Sequence, residues 1–148
     1  MKVETVPYKA HHAYQLYDRQ IQEADFLLSA VDGWEKAATA WESAGPSFTL
    51  MIDGIPEACG GIVMLDDTFG ECWVLIPRLV HGIIVYRAIL RGLDDLIKQY
   101  KFRRVQALIV EGFEKGFRLV KKLGFAFEGR LEKYGPNGET LHLYAKVF

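Results

Sequence analysis

The chain has 148 residues, half of them hydrophobic and 13% aromatic, so it can close a core without disulfide or metal staples. Its formal net charge is -1, with the charges scattered along the chain, which gives no electrostatic reason to expect nucleic acid or an anionic membrane as partner. Cys59 and Cys72 form no CxxC pair, and no histidine cluster has metal-ligand spacing, so neither a disulfide framework nor a metal centre is expected.

The N-terminus carries no apolar signal segment, and no apolar run approaches the roughly 20 residues of a membrane helix. A soluble, cytoplasmic protein with two reduced, half-buried cysteines is expected. Lys2 to Val6 alternate and stop at Pro7, which predicts a first strand. Ala10 to Ala30 read as a helix through Tyr14, Tyr17, Ile21 and Phe26-Leu27-Leu28. After Asp32-Gly33, Trp34, Ala37, Ala38 and Trp41 form one apolar stripe of a second helix, which Ala44-Gly45-Pro46 ends.

Three strands are predicted next. Ser47 to Ile52 and Glu57 to Leu65 flank Asp53-Gly54, a tight-turn dipeptide. Gly60-Gly61 marks a bulge or a close backbone approach. Breakers from Asp66 to Gly70 precede a third strand, Glu71 to Ile76, stopped by Pro77. A long helix follows from Ile83 to Tyr100, burying Ile89, Leu93, Leu96, Ile97 and Tyr100. Arg104 to Val110 is a strand. Phe113 to Leu123 is a helix with Phe117, Val120 and Leu123 inward, Lys115, Arg118, Lys121 and Lys122 outward, and Gly124 at its C-cap. Phe125 to Tyr134 and Glu139 to Phe148 form a closing hairpin around Gly135-Pro136-Asn137-Gly138. The order β-α-α-β-β-β-α-β-α-β-β predicts an α/β (α+β) single domain spanning residues 1–148. Its sheet is mixed and mostly antiparallel, of about seven strands, with helices on both faces.

Phe117-Arg118-Leu119-Val120-Lys121-Lys122-Leu123-Gly124-Phe125-Ala126-Phe127-Glu128-Gly129 resembles the last helix and following strand of the GNAT acyltransferases, where Leu-Gly-Phe and then Glu-Gly recur. Tyr134 to Gly138 and Leu143-Tyr144-Ala145 are similar to that family's closing hairpin. The resemblance covers about Phe48 to Phe148, and the N-terminal third fits by element order. Cys59-Gly60-Gly61, Gly70-Glu71-Cys72-Trp73 and a long helix without a glycine-rich start more narrowly resemble the GNAT-like proteins of tailed phages, including internal virion proteins.

The resemblance implies two parallel strands that splay, a pantetheine arm paired to the gap like an added strand, and a pyrophosphate on a helix N-terminus. Acetyl-CoA or another acyl-CoA is then the cofactor. The matching positions are the backbone of Val74, Leu75 and Ile76 and the stretch His81, Gly82, Ile84, Tyr86 and Arg87. Here the sequence departs from the family. His81 replaces the leading Arg or Gln, and Ile84 and Tyr86 replace two glycines. A β-branched Ile resists a left-handed backbone, and Tyr takes space a phosphate would use. Arg78, His81 and Arg87 offer compensating charge.

The family's proton-donating Tyr is replaced by Val120 and its Asn by Phe113. Glu71, beside the implied acceptor site, is the candidate base, set against an ordinary strand carboxylate. Tyr134 and Tyr144 are candidate acids, and Trp73 and Tyr134 candidate acceptor-site residues, set against plain packing. His11 and His12 are expected at the surface. Two readings stay open. One is an acyl-CoA-dependent N-acyltransferase acting on an amine. The other is a catalytically degenerate module of the same fold, with virion proteins as partners. In either, the apolar terminal strand offers an edge to a second copy, giving a homodimer.

Overall fold

Asp53 and Gly54 both take left-handed φ, 50° and 78°, the geometry of a tight hairpin whose twist matches its strands. The turn also clamps the chain start. Lys2 N–H donates to Asp53 Oδ1 at 2.7 Å, and Asp53 N–H donates to the Lys2 carbonyl at 2.8 Å. The computed structural model describes residues 1–17, 34–76 and 82–148. The helix expected to continue to Ala30 and the loop from Pro77 to His81 fall largely outside the described residues.

Strands β1 (Val3–Pro7), β2 (Ser47–Ile52), β3 (Ile55–Asp66) and β4 (Phe69–Leu75) pair antiparallel in sequence order. Strand β5 (Arg104–Val110) joins β4 in parallel, and the hairpin of β6 (Ala126–Leu131) and β7 (Leu141–Val147) completes the sheet. The seven strands lie in the order β1-β2-β3-β4-β5-β7-β6. Helices α1 (Ala10–Tyr17) and α2 (Trp34–Ala44) belong to one face, and α3 (Gly82–Gln99) and α4 (Glu114–Lys122) to the other. The fold is the mixed, mostly antiparallel α/β domain that the element order predicts.

Alternation along β4 assigns the faces. Cys72 and Val74, with Ala107 and Ile109 of β5, meet Leu93 of α3 and Leu119, Val120 and Leu123 of α4. Trp73 points the other way. It stacks on Trp41 of α2 at 4.1 Å between ring centroids and takes the edge of Tyr8 at 5.1 Å. Helix α3 buries Val85, Ile89, Leu93 and Ile97, a strict four-residue spacing. Each such side chain contributes about 1.5–3 kcal/mol relative to exposure. Tyr100, expected on that stripe, lies past the helix end and is 42% exposed.

Gly60 and Gly61 prove to be places of close approach. A Cβ on Gly61 would stand 2.6 Å from Ser47 Cβ, and one on Gly60 would stand 3.2 Å from the Phe48 ring. The register irregularities lie elsewhere, between Leu50 and Met51, between Met64 and Asp66, and between Phe127 and Gly129. Helix α4 ends in a Schellman arrangement. Phe125 N–H donates to Val120 O at 2.9 Å and Gly124 N–H to Lys121 O at 3.1 Å, with Gly124 at φ 88°.

The α1 face hides a polar group that the sequence reading placed at the surface. His12 is buried, and its Nδ1 lies 2.7 Å from Thr49 Oγ1 and accepts the Lys9 N–H at 3.1 Å. Thr49 Oγ1 in turn lies 3.3 Å from Cys59 Sγ. Both cysteines are free and fully buried rather than half-buried, and burial pushes the Cys59 thiol up to about 12. His11 remains exposed.

Candidate functional site

Strands β4 and β5 pair over three positions only: Phe69 with Arg104, Gly70 with Val105, and Glu71 with Gln106. Beyond Glu71 they part. Strand β4 continues to Leu75 along β3, and β5 continues to Val110 along β7. Among the described residues no strand pairs with the facing edges of 72–75 and 107–110. Two backbone edges therefore line a V with their peptide groups available. Glu71 is the last residue of β4 paired with β5 and sits at the vertex.

A cleft of about 890 Å³ lies on the α3 and α4 side of the sheet. Ile76, Ile83, Val85 and Leu90 give it apolar walls, and Gly82, Tyr86 and Arg87 come from the start of α3. Lys115, Arg118, Lys121 and Lys122 come from α4. All four are exposed, as the pattern of α4 predicts, and they border the cleft as well. With Arg87 they make five positive groups around one apolar hollow, a place for an elongated ligand with an anionic end.

The start of α3 also changes the meaning of the altered loop. The helix is under way at Gly82, so Ile84 and Tyr86 have ordinary helical backbone. Among the described residues the only non-glycine left-handed positions are Asp53 and Lys133, so the backbone conflict expected at Ile84 does not arise. Ile84 packs half-buried against the core. Tyr86 forms part of the cleft wall, and burial raises its phenol pKa against the pull of Arg118. A Cβ on Gly82 would meet nothing within 4 Å, so that position faces open space. His81 and Arg78 lie outside the described residues.

Glu71 projects to the face opposite the cleft, since Cys72 points into the α3 and α4 side. Gln106 Nε2 donates to Glu71 Oε1 at 2.9 Å. Burial raises the Glu71 carboxyl above its ordinary value of 4.5, and the Gln106 hydrogen bond opposes the rise only in part. A carboxyl held in this way is better matched to taking up a proton near neutrality than a solvated one.

The other sequence candidates scatter. Val74 lies in the apolar wedge between the V and α4, beside Val120 and Cys72. Leu75 is buried on the opposite face, in register with Cys59. Trp73 is 1% exposed, so its indole belongs to the core stack. Tyr134 stands 51% exposed in the hairpin between β6 and β7. Tyr144 is buried against Phe117 and Phe127. Phe113 and Val120, where the resemblance places polar groups, are both buried and apolar. The sequence reading passed over Gln106. A glutamine on a strand has no motif, and only the pairing of β4 with β5 reveals its partner.

No protein-family model matches the sequence, and no curated protein is similar to it. Solved structures are similar. An acetyltransferase of the GNAT family from Streptococcus pneumoniae superposes with a TM-score of 0.76 at 15% identity over 99% of each chain. An N-acetyltransferase from Staphylococcus aureus Mu50 gives 0.76 at 14% identity, again over 99% of each chain. The microcin C7 self-immunity acetyltransferase MccE, solved with acetyl-CoA and AMP, gives 0.68 at 14% identity over 99% of this chain and 93% of its own. The chain thus has the GNAT acetyltransferase fold. The narrower likeness to phage proteins has no counterpart among these three. No described helix is long and apolar enough to cross a membrane.

Proposed function

We propose that the protein is an acyl-CoA-dependent N-acyltransferase with Glu71 as its general base. One observation carries the reading: β4 and β5 part directly after Glu71, and a cation-walled cleft lies on the α3 and α4 side of the sheet. The residues present suit the cofactor. The two free strand edges offer hydrogen bonds to an amide-bearing arm, and the apolar walls accept its methylenes. Arg87, Lys115, Arg118, Lys121 and Lys122, which line the cleft, would hold its phosphates.

Bound acyl-CoA would supply an activated thioester carbonyl. Glu71 accepts the proton that the attacking amine loses. Backbone N–H groups of Val74 to Ile76 stabilise the developing oxyanion. No side chain takes the role of acid at the positions the resemblance implies, because Val120 and Phe113 are apolar, so the leaving thiolate depends on water. Tyr134, exposed on the hairpin between β6 and β7, is the residue we assign to acceptor contact.

That same absence favours a second reading, a binding module that keeps the fold without the chemistry. Calorimetric titration with acetyl-CoA, alongside a thermal shift, separates the first step. At 100 times Kd the ligand should stabilise by about 2.7 kcal/mol, or roughly 5–10 °C in a domain of this size. No heat and no shift at millimolar ligand would refute the enzyme reading. Binding without transfer to any amine in a broad screen would favour the module.

A further inference from the structure

The acidic vertex does not stand alone. A row of polar side chains crosses the sheet on the α1 and α2 face, from β6 through β5 to β4. Arg104 Nη1 and Nη2 donate to Glu128 Oε2 and Oε1 at 3.0 Å and 2.6 Å. The same guanidinium, through Nε and Nη2, donates to Gln106 Oε1 at 3.2 Å and 3.1 Å. Gln106 Nε2 then donates to Glu71 Oε1 at 2.9 Å. Strand β7 lies between β5 and β6, and its residue in register with Gln106 is Ala145, short enough to leave the crossing clear.

The direction of this chain is fixed by chemistry. A guanidinium has donors and no acceptor, so the Gln106 carbonyl must face Arg104. The Gln106 amide nitrogen must therefore face Glu71. Glu128 holds both terminal nitrogens of Arg104, so the fork cannot swing away without breaking a two-point ion pair. We propose that Gln106 is a positioning residue for Glu71, its amide locked by Arg104 and Glu128 so that it holds one carboxylate oxygen and leaves the other for the incoming amine.

This inference rests on the reading of Glu71 as the base. A carboxylate with two equivalent oxygens and a free χ3 would present either one to the acceptor. Pinning Oε1 chooses the oxygen and the rotamer, and the pin favours the ionised form that a base requires. The charged and titratable groups around Glu71 among the described residues are few. Arg104 and Glu128 compensate each other on β5 and β6, Cys72 adjoins it on β4, and its β3 partner is the apolar Val63.

The test reads Glu71 directly, through the side-chain carboxyl carbon shift of Glu-labelled protein, with Glu71→Gln giving the assignment. Gln106→Leu should raise the Glu71 midpoint by about 0.5–1 pH unit, the value of one hydrogen bond to the charged form. Arg104→Leu, which leaves every atom touching Glu71 in place, should raise it by a similar amount, because the freed amide can turn its oxygen toward the carboxyl. The decisive result is the double variant. If Arg104 acts through Gln106, Arg104→Leu adds less than about 0.2 unit in the Gln106→Leu background. An undiminished Arg104 effect there would mean direct electrostatics and overturn the proposal, as would an unmoved midpoint in Gln106→Leu. Gln106→Asn, one methylene too short to reach, serves if the leucine variant does not fold. The acid limb of the transfer rate should move with the midpoint in each variant. Since the titration needs neither acyl-CoA nor acceptor, a moved midpoint with an unmoved rate profile refutes Glu71 as base and leaves the pinning intact.

Discussion

Replacing Gly92 by Ala sets two known effects against each other. Gly92 lies within α3, where Ala is favoured over Gly by about 1 kcal/mol. A Cβ there would overlap the Phe48 ring tip and stand 2.6 Å and 2.8 Å from Cε2 and Cε1. The ring cannot retreat freely, because its tip also rests against Gly60, where a Cβ would already stand 3.2 Å away. Overpacking a buried ring costs about 1–3 kcal/mol. We expect a net loss of up to about 2 kcal/mol, or up to roughly 8 °C in Tm. Urea unfolding followed by tryptophan fluorescence measures it. In a Phe48→Leu background the obstacle is gone, so Gly92→Ala should become neutral or stabilising, with a coupling of about 1–3 kcal/mol. If Gly92→Ala stabilises the parent by its full helix preference, or the two changes add within about 0.5 kcal/mol, the packing argument is wrong.

Three further outcomes are expected. Arg118→Gln with Lys121→Gln should weaken acetyl-CoA by about 5–30-fold and flatten its salt dependence, read by calorimetry at two ionic strengths; equal Kd values would remove α4 from the site. The raised Glu71 pKa means a stabilising contribution that is full below the ordinary 4.5 and lost as pH rises through the folded value. Glu71→Gln should therefore melt above the parent at about pH 8, without that advantage near pH 4, while losing transfer activity. His12 is displaced downward from 6.5, first by burial and then by His11, so its contribution is present above 6.5 and lost as pH falls. The parent should lose more stability than His12→Gln between about pH 7 and pH 5, and parallel losses would show that His12 is not the titrating group.

Periodicity made the element order legible. Alternation gave β5 its bounds from Arg104 to Val110, and Asp53-Gly54 and Gly124 stand at the left-handed positions their chemistry predicts. What failed needs the third dimension. A helical wheel puts the four α4 cations on the wet side, and they are exposed there, but it does not tell that α3 stands across from them, so the cleft they line has no signature in the sequence. His12 read as exposed because its partner, Thr49, is 37 residues away on β2. The candidate site divided along the same line. Glu71 was visible as an acid on an apolar strand, whereas Gln106 and Arg104 acquire meaning only from a parallel register between segments 35 residues apart.

The short seam between β4 and β5 has a mechanical consequence. Three residue pairs join two stiff plates, one of four strands and one of three. Such a sheet bends most easily along that seam. Rotation of one plate against the other displaces the mouth of the gap most and the vertex least. Glu71 and Gln106 therefore sit near the hinge axis, where a guest can spread the plates while the carboxylate and its partner keep their distance. An extended guest laid between the plates would also bond to both edges, as an eighth strand would, and lengthen the seam that now ends at Glu71.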